Sequence, residues 1–342
     1  MRPLLAVSVG CPGGVGPEIA LRAASQRAHA ASLLLVGDID LLRRRAAITG
    51  VRSPLVQVRN AAEARTVAED AIAVLTPTKP LPEDALAAGH HTPAGGAAQL
   101  AWIDAACDIV ASGEARALVT GPVSKAAIAS SGAPGSDTFL GHTEHLGARL
   151  GGSETVMCFW AEKLTISLAT THLPLGKVAQ VLTPEDVARA TYWTTRLMDD
   201  LGTDPSRAVA VLSLNPHAGE SGLLGHEERT ILDPGIALAR ERLDREGRSR
   251  VLVGPVPAES AIRRTVRDQA YAACVAMYHD QATIPSKLVA FGDAVNVTLG
   301  MPIIRTSVDH GTAYDLAGTG KADASGMLSA IDLAIRLANV RP

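Results

Sequence analysis

The chain alternates short apolar runs with longer segments of helical periodicity, and this alternation confines it to an α/β architecture with a largely parallel sheet. Leu4 to Val9, Leu33 to Val36, Ala117 to Val119, Leu164 to Ala169, Ala208 to Leu214 and Ala272 to Met277 read as strands. They are apolar throughout instead of alternating, as a sheet covered on both faces requires. Pro17 to Arg27, Ala94 to Ser112 and Pro184 to Leu201 read as helices. The last is opened by Thr183, with Glu185 and Asp186 in its first turn. Thr76 to Gly96 and Ala129 to Gly147, rich in Gly, Pro and Ala, read as surface connections. A length of 342 residues leads us to expect two lobes with a cleft between them.

A composition of 47% hydrophobic and 20% charged residues excludes a disordered chain. With 32 basic against 35 acidic residues, nothing in the charge points to nucleic acid or an anionic membrane surface. No uncharged apolar stretch reaches the roughly 18 residues a spanning helix needs. Cys11, Cys107, Cys158 and Cys274 are far apart and form no CxxC, so free thiols and a reducing, cytoplasmic location are expected.

In parallel sheets, ligands gather beyond the carboxyl ends of strands. There the sequence places Thr170-Thr171-His172, Asn215-Pro216-His217 and Tyr278-His279-Asp280, so three strands each deliver one imidazole. Three imidazoles suit a borderline divalent ion with one position left open. Against this, separations of 45 and 62 residues match no local metal signature, and isolated histidines are commonly surface or structural groups. The loop GCPGGVGPE after the first strand lacks the Rossmann GxGxxG spacing. It suits an anion at a helix start or a purely structural turn equally well. Lys125, after Thr120-Gly121-Pro122, could meet a carboxylate or act as a base if burial lowers its pKa; an ordinary surface lysine is the plainer reading. Gly141-His142-Thr143 offers an imidazole and a hydroxyl to a polar substrate, and Lys287, Asn296 and Arg305, nine residues apart in turn, suit a phosphate or a phosphate with a carboxylate.

Taken in order, TGPVSK, GHTE, TTHLPL, LNPHAGE, MYHDQ and VNVTLGMPIIRTSVDHGTAYDLAGTGKAD resemble the PdxA family of 4-hydroxythreonine-4-phosphate dehydrogenases along nearly the whole chain. The resemblance implies an isocitrate/isopropylmalate dehydrogenase-like fold, with residues 1–125 and 306–342 as the nucleotide lobe and 126–305 as the metal, substrate and dimerisation lobe. It implies a homodimer whose active site lies at the interface. One divalent ion (zinc, magnesium or cobalt) is then held by His172, His217 and His279, one of them supplied by a second subunit. His142, Thr143, Lys287, Asn296 and Arg305 contact substrate. His310, Gly311, Thr312, Ala313 and Asp315 are similar to the adenosine loop of β-decarboxylating dehydrogenases, which provides for NAD or NADP without a Rossmann fingerprint.

The implied reaction oxidises a metal-bound secondary alcohol by hydride transfer to the nicotinamide, then releases CO2 from the resulting β-keto acid. In this family the product is 3-amino-2-oxopropyl phosphate, on the route to pyridoxal 5'-phosphate. Lys125 and Asp280 are the candidate bases; Asp280 could equally orient a metal-bound imidazole. Three positions depart from the family pattern. Cys11 replaces an acidic residue in the first loop, Pro257-Ala258-Glu259-Ser260 replaces PADT, and Ala282 replaces the glycine of HDQG. Glu259, in the place of a substrate-handling aspartate, reaches about one methylene further. The departures leave open a paralogous dehydrogenase acting on 4-phospho-D-threonate or -erythronate, or on a cis-dihydrodiol dicarboxylate. From the residues alone, a zinc hydrolase, an acyl transferase to phosphate and a non-catalytic phosphosugar binder also stay open.

Overall fold

The computed structural model describes residues 2–152 and 154–340. Its strands are β1 Leu4–Ser8, β2 Ser32–Val36, β3 Leu55–Val58, β4 Ile72–Leu75, β5 Ala117–Thr120, β6 Val156–Trp160, β7 Ile166–Leu168, β8 Ala208–Leu212, β9 Leu252–Val256, β10 Tyr271–Ala276, β11 Val295–Leu299 and β12 Ile304–Val308. The chain divides into two compact units, one ending at residue 153 and resuming at Met301, the other formed by Glu154–Gly300. The first unit is thus formed from two separate stretches of sequence, the earlier of which runs beyond residue 125. The helix Lys125–Ala129 packs on the helix Pro93–Ala111, and two ion pairs add the next helix, His142–Arg149, to the same unit. His145 Nε2 lies 2.6 Å from Asp104 Oδ1, and Arg149 Nη2 lies 2.7 Å from Asp108 Oδ2.

In the first unit six strands run in the order β3-β4-β2-β1-β5-β12, and every pair is parallel. β1 and β5 are buried at every residue, which explains their unbroken apolar sequences. The helix Pro93–Ala111 covers this sheet with Trp102 and Ile103 fully buried. The helix Ser325–Val340 packs on β12 and β5.

The second unit is mixed. Its order is β11-β6-β7-β10-β8-β9, with β6 antiparallel to both β11 and β7 and the remaining pairs parallel. Its core gathers Phe159, Leu164, Ile166, Leu212, Cys274 and Ala276. The helix Pro184–Asp200 begins with a reciprocal capping box between Thr183 and Asp186. All four cysteines are free and buried. Among the described residues no helix is long and apolar enough to cross a membrane.

Candidate active site

In the first unit the polar groups converge at the carboxyl end of β5, which the Arg305 side chain reaches from the second residue of β12. β12 pairs with β5 so that Arg305 lies opposite Leu118, two residues before Thr120 on β5. Arg305 is only 2% exposed, and its Nη2 donates to Thr120 Oγ1 at 2.8 Å. Burial lowers the Arg305 pKa to about 10, and the Glu144 carboxylate partly offsets this. His142 opens the helix His142–Arg149. Burial, together with the positive charges of Arg305, His145 and Lys125, pushes its pKa well below the ordinary value, so the ring is neutral near pH 7. His142 Nε2 is enclosed with no hydrogen-bond partner among the described residues. A buried polar atom of this kind is satisfied by water or a ligand. A Cβ on Gly141 would stand 3.7 Å from Lys125 Nζ and 2.8 Å from Glu144 Oε2, which places the exposed Lys125 beside the same helix start.

The first loop and the 310–320 segment are built against each other. Val15 N donates to Thr312 O at 2.9 Å, and a Cβ on Gly14 would lie 2.8 Å from that same oxygen, so only glycine fits there. The fully buried Glu18 accepts from Gly318 N at 2.5 Å and Gly320 N at 3.2 Å, and Arg22 donates to the carbonyls of Gly320 and Ala322. The loop GCPGGVGPE therefore has a structural task. Cys11 Sγ lies 3.4 Å from the hydroxyl of Tyr314, and burial raises its thiol pKa. His310, Gly311 and Asp315 are exposed, Thr312 and Ala313 are half-buried, and Ala313 holds φ +44°.

In the second unit the ends of β7, β10 and β8 carry His172, His279 and His217. Their backbones are cross-tied. Thr170 Oγ1 donates to Met277 O at 2.7 Å, joining β7 to β10. Gln281 joins β10 to β8: its Oε1 accepts from Met277 N at 2.7 Å and its Nε2 donates to Ser213 O at 2.8 Å. The rings of His172 and His279 face each other with centroids 5.5 Å apart. Two imidazoles on one tetrahedral ion, with metal–nitrogen bonds of about 2.1 Å, would stand on the order of 5 Å apart. Asp280 Oδ1 lies 2.7 Å from His279 Nδ1, which leaves Nε2 for a cation. His217 begins a left-handed turn in which His217, Ala218, Glu220 and Ser221 all have φ between +44° and +58°. Among the described residues no three His, Cys, Asp or Glu side chains of a single chain are gathered closely enough to hold a metal.

The remaining predicted groups also lie in this unit. Lys287 is exposed on the helix His279–Val289, two turns beyond His279. Asn296, on β11, has its Oδ1 enclosed without a partner among the described residues. Glu259 is exposed in the first turn of the helix Ala258–Asp268 and accepts a 3.3 Å bond from Ser260 Oγ. Thr143 follows His142 in the first unit and is half-buried. Sequence reading did not find Glu18, Thr170, Gln281 or Glu228, which are tied mainly to backbone groups that carry no pattern of residue types.

Fold and site together define an α/β enzyme with charged and imidazole groups at its strand ends. Residues 29–334 match the family described as pyridoxal phosphate biosynthetic protein PdxA, and the chain belongs to that family. It is 41% identical to the 4-hydroxythreonine-4-phosphate dehydrogenase of Chromobacterium violaceum, over 98% of this chain and 97% of the relative. The solved structure of a putative enzyme of the same name from Salmonella typhimurium superposes with a TM-score of 0.83 at 33% identity, covering 98% of this chain and 99% of that one. A terephthalate 1,2-cis-dihydrodiol dehydrogenase from Burkholderia xenovorans superposes with a TM-score of 0.69 at 29% identity, each chain 98% covered.

Proposed function

We propose that the chain is an NAD-dependent, divalent-metal-dependent dehydrogenase that oxidises and decarboxylates 4-phosphohydroxy-L-threonine to 3-amino-2-oxopropyl phosphate, in the formation of pyridoxal 5'-phosphate. The observation that carries this reading is the full-length likeness to a dehydrogenase of that substrate, in a chain whose His172 and His279 rings already stand at the spacing of two metal ligands. His172, His279 and His217 would hold the ion, one of them from a second copy in a homodimer, since among the described residues no three such groups of one chain are gathered. A bound divalent ion acidifies the substrate hydroxyl and polarises the ketone that precedes CO2 loss. Arg305 supplies a desolvated, forked cation for phosphate or carboxylate, and the neutral His142 donates or accepts a hydrogen bond without adding charge. Lys287, Asn296, Thr143 and Glu259 complete the substrate contacts. Residues His310 to Ala313 with Asp315 carry the dinucleotide. Asp280 orients His279, and the exposed Lys125 would meet a substrate carboxylate.

A second reading is favoured by the likeness to the dihydrodiol dehydrogenase and by the departures at Cys11, Glu259 and Ala282. It is a sister dehydrogenase acting on 4-phospho-D-threonate, 4-phospho-D-erythronate or a cis-dihydrodiol dicarboxylate. Incubating the purified chain with NAD, a divalent ion and each substrate in turn separates the two. NADH formed with 4-phosphohydroxy-L-threonine is expected; NADH formed only with a non-aminated acid overturns the first reading. His172→Ala should lower turnover at least about 10³-fold and abolish the metal requirement of the residual rate.

A further inference from the structure

The turn bearing His217 is unlike its two counterparts. His172 and His279 leave their strands in ordinary conformations, but from His217 to Ser221 five successive residues hold positive φ, and only Gly219 among them is glycine. A left-handed run of L-residues does not persist unless its surroundings impose it. The surroundings here centre on Glu228. Its side chain is buried, and it sits at the start of the π-helical turn Glu228–Leu232. Glu228 Oε1 accepts from Leu214 N at 3.0 Å and Asn215 N at 2.7 Å, the two residues that lead into the turn. Oε2 accepts from Asn215 Nδ2 at 2.9 Å, and the same amide donates to Glu227 Oε2 at 2.8 Å. A Cβ on Gly219 would lie 2.7 Å from Glu228 Oε2, so the carboxylate also occupies the inside of the turn.

We infer that Glu228 is a positioning residue, which holds the left-handed turn so that His217 is presented in metal-binding geometry before any ion arrives. The inference rests on the reading of His172, His217 and His279 as metal ligands. Glu228 touches neither ion nor substrate; its contribution is preorganisation of one ligand.

The test is titration of the full-length apoprotein with Co2+, read by the visible absorption of the bound ion. Glu228→Ala is expected to weaken binding about 10- to 100-fold, the range for removing a group that supports a metal ligand. Glu228→Gln, whose amide oxygen can still accept from Leu214 and Asn215, should recover most of that loss. So should Ala218→Gly in the Glu228→Ala background, because glycine adopts φ +54° freely. Val156→Ala, which opens a cavity on β6, three strands away from β8 in the sheet, is the control for simple destabilisation and should bind Co2+ as the parent does. Unchanged affinity in Glu228→Ala, with binding abolished in His172→Ala, overturns the inference and leaves the metal reading standing. Binding that His172→Ala does not alter overturns both. If Glu228→Ala does not fold, Asn215→Ala decides: several-fold weaker binding supports the positioning role, and unchanged affinity refutes it.

Discussion

Arg305 and His142 in the first unit stand in an environment opposite to that of the histidine-bearing strand ends in the second. In the first, Arg305 is sealed at the foot of β12 and His142 has an enclosed ring nitrogen; both pKa values are displaced by burial. In the second, His172, His217, Asp280, Lys287 and Glu259 are exposed on a single chain, and order comes from backbone ties through Thr170, Gln281 and Glu228. Buried groups are positioned by packing and pay in desolvation; exposed groups need a scaffold to fix them. The first arrangement suits fixed recognition of an anion, the second suits binding an ion that supplies its own charge.

The largest expected effect that tests this contrast is at Arg305. Arg305→Lys keeps the charge but loses the fork, and should raise KM for the phosphorylated substrate about 10- to 100-fold with a smaller change in kcat. An equal loss in both constants would place the guanidinium in the chemical step instead. Next is Gly14→Ala, which drives a methyl against Thr312 O. It should cost about 1–3 kcal/mol and raise KM for NAD, measured by thermal melting and steady-state kinetics, while Co2+ affinity, which the proposed function assigns to His172, His217 and His279, stays unchanged.

A smaller effect concerns pH. The folded-state pKa of His142 is depressed, so the unfolded chain binds its proton first as pH falls. The stability His142 contributes is present above its unfolded value of about 6.5 and is lost as pH drops from there toward the folded value. Melting temperature should therefore decline between about pH 7 and pH 5, and His142→Gln should flatten that slope. The smallest effect is Thr183→Ala. It removes one side of the capping box and should cost about 1 kcal/mol in the second unit with no change in either Michaelis constant.

How much of this was readable beforehand differs along the chain in a physically sensible way. β1, β5, β8 and β10 are central strands, apolar throughout because both faces are covered, and each lies within two or three residues of its sequence-based limits. β3, with Val56 and Gln57 exposed, and β9, which contains Pro255, are edge strands whose residues are not uniformly apolar, so they escaped notice. β6 and β11 form the antiparallel step, a pairing that strand–helix alternation does not suggest. The helix His142–Arg149 lay hidden in a segment read as a Gly-rich connection. At the site, the imidazoles were legible because they follow strands directly. The pairing of His172 with His279 was not, because it depends on strand order, in which β10 lies between β7 and β8. Lys125, considered as a buried base, is exposed.

The clasp between Glu18 and the amides of Gly318 and Gly320 joins positions some three hundred residues apart. On the ribosome, the opening motif emerges long before its partners exist, and β5 waits with a bare edge for β12 to be made. The first unit therefore cannot close until β12 and the segment bearing Gly318 and Gly320 have been made, and the second unit, contiguous in sequence, has the chance to mature while its neighbour is still incomplete. A nascent chain stalled before residue 304 would expose that unsatisfied strand to chaperones or to other chains.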